Sequence, residues 1–169
     1  MHMHYTYHMA YNGGMGKNRD AAQGSVELEV MLLGRHAVLG PASSKARGGS
    51  LDRSAYLLLS RLQAQGPMTI RELHEAFGLD QSTLSRQTAA MLRDGVVERT
   101  PDPDGGPARR FAVTDLGAAR LAADRADKLA ALDKVFDDWD PEEVQTFAAM
   151  LRRVNEGIER VDGRPWPRP

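Results

Sequence analysis

Apolar residues recur at helical spacing through most of this chain and alternate in only one short region. Over residues 25–39, Val26, Val30, Leu33 and Ala37 follow the helical repeat, and Leu28, Leu32 and Leu39 widen the stripe, which predicts a helix with much to bury. The first 24 residues show neither period and contain Gly13, Gly14 and Gly16, so they read as a flexible tail. GPASSKARGG at 40–49 has loop composition, and a helix resumes over 51–64 with Asp52 as its N-cap and Gly66-Pro67 as its stop.

Thr69-Ile70-Arg71-Glu72 has the form of a capping box that opens a short helix ending at Phe77. Gly78 suits a left-handed closing residue, Leu79 can pack back, and Asp80 can cap a further helix running to about Asp94. After Gly95 two strands are expected, at 96–100 and 108–114, joined by the turn-rich PDPDGGP. A helix should cover 115 to about 139. Asp140, Pro141 and Glu143 supply a cap, a first-turn proline and an acidic third position for the last one, which RPWPRP after Gly163 cannot continue.

In that last helix Val144, Phe147, Leu151, Val154, Ile158 and Val161 step alternately by three and four, a heptad seam that calls for a partner helix. The partner can be in the same chain or in a second subunit, and long terminal helices flanking a small central module favour the second subunit. The fold expected is mainly α with a small β-wing. It comprises a tail (1–24), a winged helix-turn-helix (51–114), a helical dimerisation lobe from the N- and C-terminal helices (25–39 and 115–162) and a C-terminal tail (163–169).

The helix after Gly78 divides into two faces at about 100° per residue. Leu84, Thr88, Met91 and Leu92 fall on one side. Ser82, Arg86, Ala89 and Arg93 fall on the other, flanked by Thr83 and Ala90, with almost no carboxylate. In a helix-turn-helix this second helix enters the major groove of duplex DNA, where Arg pairs with guanine, Gln with adenine, and Ser or Thr with bases or phosphate. Gln81, Ser82, Thr83 and Arg86 are therefore the base-reading candidates, with Gln87 at the edge. On the returning strand Arg109 and Arg110 alternate faces, and at least one should reach DNA beside the slender Gly105-Gly106 tip, while Phe111 and Val113 anchor the wing.

The run 51–117 resembles the multiple-antibiotic-resistance regulator (MarR) family. The likeness is carried by GPMTIREL (66–73), LDQSTLSR (79–86), LRDGVVER (92–99) and VTDLG (113–117), in that order. It implies an intertwined homodimer, probing a pseudo-palindromic operator with one winged module per subunit and acting as a repressor or other regulator. Recognition helices should then lie about 34 Å, roughly 10 bp, apart. Release by a small aromatic or lipophilic effector bound between lobe and module is also implied, and Tyr56 and His36 are the residues placed to border such a cleft. The chain departs from the family where the wing arginine usually follows the acidic turn: Gly105-Gly106-Pro107 stands there, and Arg109 and Arg110 come later.

Composition narrows the alternatives. Cysteine is absent, which removes disulfides, Cys-ligated zinc and thiol sensing. His2, His4 and His8 sit in the expected tail and read as loose rather than metal-binding. No apolar run approaches the roughly 18 residues of a membrane span and no signal-peptide pattern opens the chain, so a cytoplasmic location is expected. Neither a phosphate loop, a nucleophile elbow nor a paired-histidine metal motif is present, so no enzyme activity and no cofactor are expected. His74 near Glu72 and Glu75 reads as an exposed helix face. Net charge is only −1, which leaves one rival: a winged helix that binds protein rather than DNA.

Overall fold

The computed structural model describes residues 5–36, 51–102, 105 and 109–168, with side chains from residue 18 onward. Expectations for the 40–49 loop, for the side chains of His2, His4 and His8, and for most of the wing tip lie outside the described residues. Contacts divide the chain into an N-terminal unit, 1–37, and a second unit, 38–169.

The N-terminal unit is one helix, α1 (Tyr5–Arg35). The tail expected over 1–24 is thus helical from Tyr5. Helix propagation needs only local hydrogen bonds once a turn exists, and the Lys, Arg, Ala, Gln and Glu residues over 17–29 are ready helix formers. Each interior glycine costs only about 1 kcal/mol against alanine. Val26, Leu28, Val30 and Leu33 of α1 are between 44% and 58% exposed, so these positions of the stripe read from the sequence stay uncovered.

In the second unit, α2 (Arg53–Gln65), α3 (Ile70–Phe77), α4 (Gln81–Arg93), a two-stranded sheet, α5 (Asp115–Val135) and α6 (Pro141–Asp162) follow in order. Caps set the boundaries. Asp52 accepts from the Ala55 amide at 2.8 Å, and the Asp140 amide donates to Glu143 Oε2 at 2.9 Å. Strand β1 (Val97–Pro101) pairs antiparallel with β2 (Arg109–Val113), Val97 opposite Val113 and Pro101 opposite Arg109. Met68 adds a bridge to Phe111 on the outer edge of β2, with backbone bonds of 2.8 and 3.1 Å. The core joins every element from α2 to α5: Leu58, Leu59 and Leu62, Leu73, Leu84 and Met91, Val96 and Val97, Phe111 and Leu121. Each such side chain contributes about 1.5 to 3 kcal/mol when fully buried.

The expected helix to residue 139 stops at Val135, where the Phe136 amide still bonds Leu132. Phe136 and Trp139 then pack on Phe147, with ring centroids 5.0 to 6.1 Å apart, and this aromatic cluster turns the chain into α6. Residues 163–168 of the expected C-terminal tail lie back against the α2–α3 corner through Pro165 and Trp166. No helix among the described residues is long and apolar enough to cross a membrane.

Where α5 begins, Thr114 accepts from the Gly117 amide and donates to the Gly95 carbonyl at 2.7 Å. The helix start is so close to the sheet that a Cβ at Gly117 would lie 2.0 Å from the Val96 carbonyl oxygen. That oxygen is itself held by the Thr114 amide at 3.2 Å. Gly117→Ala should therefore cost about 2 kcal/mol or more, read as a lowered urea midpoint. An unchanged midpoint would refute this close approach.

Candidate nucleic-acid interface

Helix α3, a turn and helix α4 form the helix-turn-helix. Thr69 and Glu72 complete the capping box: the Glu72 amide donates to Thr69 Oγ1 and the Thr69 amide to Glu72 Oε2 at 2.7 Å. Gly78 closes α3 with a φ of 66°, a conformation that favours glycine. His74 Nδ1 lies 2.7 Å from the Leu79 carbonyl oxygen. A carbonyl only accepts, so the Nδ1 proton must sit on that bond, and His74 is a turn brace rather than merely an exposed polar group. Asp80 occupies the cap position of α4 but makes no side-chain capping bond.

The two faces of α4 divide as the periodicity predicts. Leu84, Thr88 and Met91 are buried, and the Thr88 hydroxyl donates to the Leu84 carbonyl at 2.9 Å. Gln81, Ser82, Arg86 and Arg93 are exposed and Thr83 is half-buried. Arg86 Nη2 reaches Thr83 Oγ1 at 3.3 Å, which lays the guanidinium along the outer face. Gln87 departs from expectation. Its Oε1 is buried without a hydrogen-bond partner among the described residues, so it does not present both atoms that a paired contact to adenine uses.

The wing gives Arg110 partners inside the protein. Its Nε donates to Asp102 Oδ1 at 3.0 Å, and its Nη1 to Glu72 and to the Pro67 carbonyl at 3.0 to 3.2 Å. With its Nε and Nη1 engaged at the root of the wing and the start of α3, Arg110 braces the module from within. Arg109, on the opposite face of β2, is exposed. It borders an open cleft of about 430 Å³ that Arg71, Arg99 and Arg110 also line, together with Glu72 and Asp102, and Arg99 stands 5.9 Å from the centre of the Phe111 ring. Arg109 is thus the arginine of the pair left facing solvent.

Tyr56 is half-buried, with Lys128 Nζ 3.9 Å above its ring. It borders a cleft of about 670 Å³ between α2 and α5 that Arg125 and Trp166 also line. His36 lies in the N-terminal unit, exposed, one residue past the end of α1.

Two buried charges escaped the sequence reading. Asp124 of α5 accepts the Leu51 amide at 3.1 Å. Arg61 of α2, 6% exposed, donates to Gln65 and to the Pro165 carbonyl. Each partner lies far along the chain, except Gln65, and no local pattern marks such a pair.

Comparison with known proteins agrees with this geometry. The MarR family profile matches residues 51–105. A Bacillus subtilis (strain 168) protein, the uncharacterized HTH-type transcriptional regulator YxaD, is 39% identical over 133 residues, covering 79% of this chain and 92% of that one. The chain belongs to the MarR family. A second B. subtilis relative, the uncharacterized HTH-type transcriptional regulator YybA, is 24% identical over 110 residues, covering 65% and 73%. Among solved MarR family structures, one transcription regulator superposes with a TM-score of 0.68 at 19% identity, covering 90% of this chain and 99% of that one. A Bacillus stearothermophilus member gives 0.66 at 22%, covering 81% and 96%. MarR proteins are transcriptional regulators that bind DNA and act as dimers.

Glu72 ties this MarR module together, and its charge can be tested. Burial raises its pKa, but the Thr69 amide and hydroxyl and the Arg110 guanidinium outweigh that and hold it below the usual carboxylate value. A lowered folded-state pKa gives stability that is present above the unfolded value, about 4.3, and is lost as pH falls through the folded one. The stability gap between the native protein and Glu72→Gln should be widest at neutral pH and should close in acid. Urea titrations at a series of pH values measure it; a gap that does not narrow at all as pH falls would show that the carboxylate's charge is not what braces the wing.

Proposed function

We propose that this protein is a homodimeric repressor that binds a pseudo-palindromic operator in duplex DNA, working in the cytoplasm. The observation that carries the reading is the outer face of α4, where Gln81, Ser82, Thr83 and Arg86 present donors and acceptors without a carboxylate. Arg109 on the wing supplies a second, cationic contact positioned for the neighbouring groove. Arg110 and Gln87 are left out of this set for the reasons given by their partners and burial.

Pairing of subunits is supported by the seam on α6. Leu151, Val154, Ile158 and Val161 are 39%, 48%, 53% and 87% exposed, a run of apolar side chains that water disfavours and a second seam would cover. In this reading the terminal helices are the dimer lobe and 51–114 the DNA-binding module. The cleft beside Tyr56 is the place for a small aromatic or lipophilic effector whose binding releases the operator.

Fluorescence anisotropy against DNA from upstream of the protein's own gene and against random duplex, over a range of salt, tests the proposal. Tighter, steeply salt-sensitive binding to the first supports it; no binding to either at low salt points to a protein-binding winged helix instead. Arg86→Ala should lower affinity for the preferred duplex by about 1 to 3 kcal/mol and leave random-duplex binding nearly unchanged. Equal loss on both would remove Arg86 from base reading.

The two wing arginines should separate. Arg109→Ala is expected to weaken binding to all duplexes and to flatten the salt dependence by about one counterion, with an unchanged unfolding curve. For Arg110→Ala the unfolding midpoint should fall, since Glu72 and Asp102 lose their shared partner. The reverse assignment in paired binding and unfolding measurements would return Arg110 to the interface.

A further inference from the structure

Helix α6 buries none of its residues. Its start is joined to the end of α5 by the Phe136, Trp139 and Phe147 cluster. Its far end is joined to the winged module by the residues that follow it.

Gly163 takes a φ of 68°, the Arg164 amide returns to the Glu159 carbonyl at 3.2 Å, and the chain folds back as a strap over 163–168. The Trp166 ring meets Phe77, the last residue of α3, edge-on at 5.8 Å. Arg61 of α2 stands 5.2 Å from the centre of the same indole and donates to the Pro165 carbonyl at 2.9 Å. Arg164 lies across the turn itself: a Cβ at Gly78 would come 2.5 Å from its guanidinium carbon. Finally Arg168 returns to α6 through a two-pronged pair with Glu159, 2.8 Å from Nη1 to Oε2.

Several features make the strap firm. Prolines on both sides of Trp166 restrict its backbone. Arg61 is buried, which lowers its pKa even against the field of Glu159, and removing the Pro165 carbonyl would leave that buried cation short of an acceptor. Glu159 is held below the usual carboxylate range, chiefly by the Arg168 hydrogen bond, so the return anchor is an ion pair at neutral pH. The strap therefore grips the module at the last turn of α3 and at Gly78, three residues before α4 begins.

From this geometry we infer that Trp166 is a positioning residue for DNA binding: the strap fixes the direction of α4 relative to α6, and so fixes the distance between the two recognition helices of a dimer. The inference rests on the homodimeric DNA-binding reading above. Trp166 itself touches no DNA. A dimer whose two modules are rigidly placed gains from simultaneous engagement only when half-site spacing matches, whereas loosely held modules lose both the gain and the discrimination.

The test uses the full chain. A duplex is first selected by the intact protein from a random-sequence pool, and a second duplex is made from it with two base pairs added between the half-sites. The intact protein should prefer the original by about tenfold or more. Trp166→Ala should bring the preference to within about twofold, by weakening binding to the original, while remaining a dimer in sedimentation. Glu159→Gln, which loosens the return anchor, should move part of the way, and Trp166→Phe should recover most of the preference.

Trp166→Ala retaining the full spacing preference would overturn the inference. So would its dissociation to monomers, since the strap would then support the pairing seam rather than the direction of α4. Failure of the intact protein to select any duplex would instead sink the DNA-binding reading, and is separated from the first two results because it is seen before any substitution is made.

Discussion

One carboxylate links the two parts that make a winged helix more than a helical bundle. Glu72 closes the first turn of α3 by accepting the Thr69 amide, and the same side chain accepts from Arg110 of β2. A first-turn amide, left alone, would be satisfied by water. Bound to Glu72, it becomes part of a chain running from α3 through Arg110 to Asp102 at the root of the wing loop. The orientation of β2 therefore depends on a helix cap, and the exposure of Arg109 follows from it, because successive residues of a strand face opposite ways.

This dependence explains what could be read from the sequence and what could not. The box at Thr69–Glu72, the Gly78 turn, the Asp52 cap and the split of α4 between Leu84 and Arg86 are local, repeating within three or four residues, and the structure reproduces them. The role of Arg110 is not local. Its partners lie 8 and 38 residues away, and strand alternation alone states only that Arg109 and Arg110 differ, not which one is engaged. Arg61 is harder still, with a carbonyl acceptor 104 residues along the chain. Apolar periodicity also misjudged the start of the chain, where helical hydrogen bonding continues through Gly13, Gly14 and Gly16 without a stripe. At the other end it stopped the helix where the structure does, but it carried no sign that residues 164–168 dock back on the module.

The resemblance to MarR proteins located the module, and the side-chain geometry distinguishes the residues within it. Family likeness places an arginine near the wing tip, and this chain has two slightly later. Only the hydrogen bonds distinguish them. Gln87 is a similar case, since its position on the helical wheel is marginal and the burial of Oε1 decides it. Site residues carried over by motif therefore need a check on whether each donor or acceptor is already satisfied inside the protein.

A net charge of −1 makes those details count. A strongly basic protein can hold the phosphate backbone from many directions, and its affinity tolerates misplacement of any one contact. Here 22 basic side chains are offset by 23 acidic ones, and in the proposed reading the cations that meet DNA are Arg86 on α4 and Arg109 on the wing, so binding would depend on bringing them to the duplex together. Long-range attraction cannot compensate for a module pointing the wrong way. On that reading the burden falls on rigidity: the Glu72–Arg110 brace within the module, and the contacts of residues 163–168 between the module and α6. A chain without a net positive charge has correspondingly more to gain from fixing where the cations of that face stand.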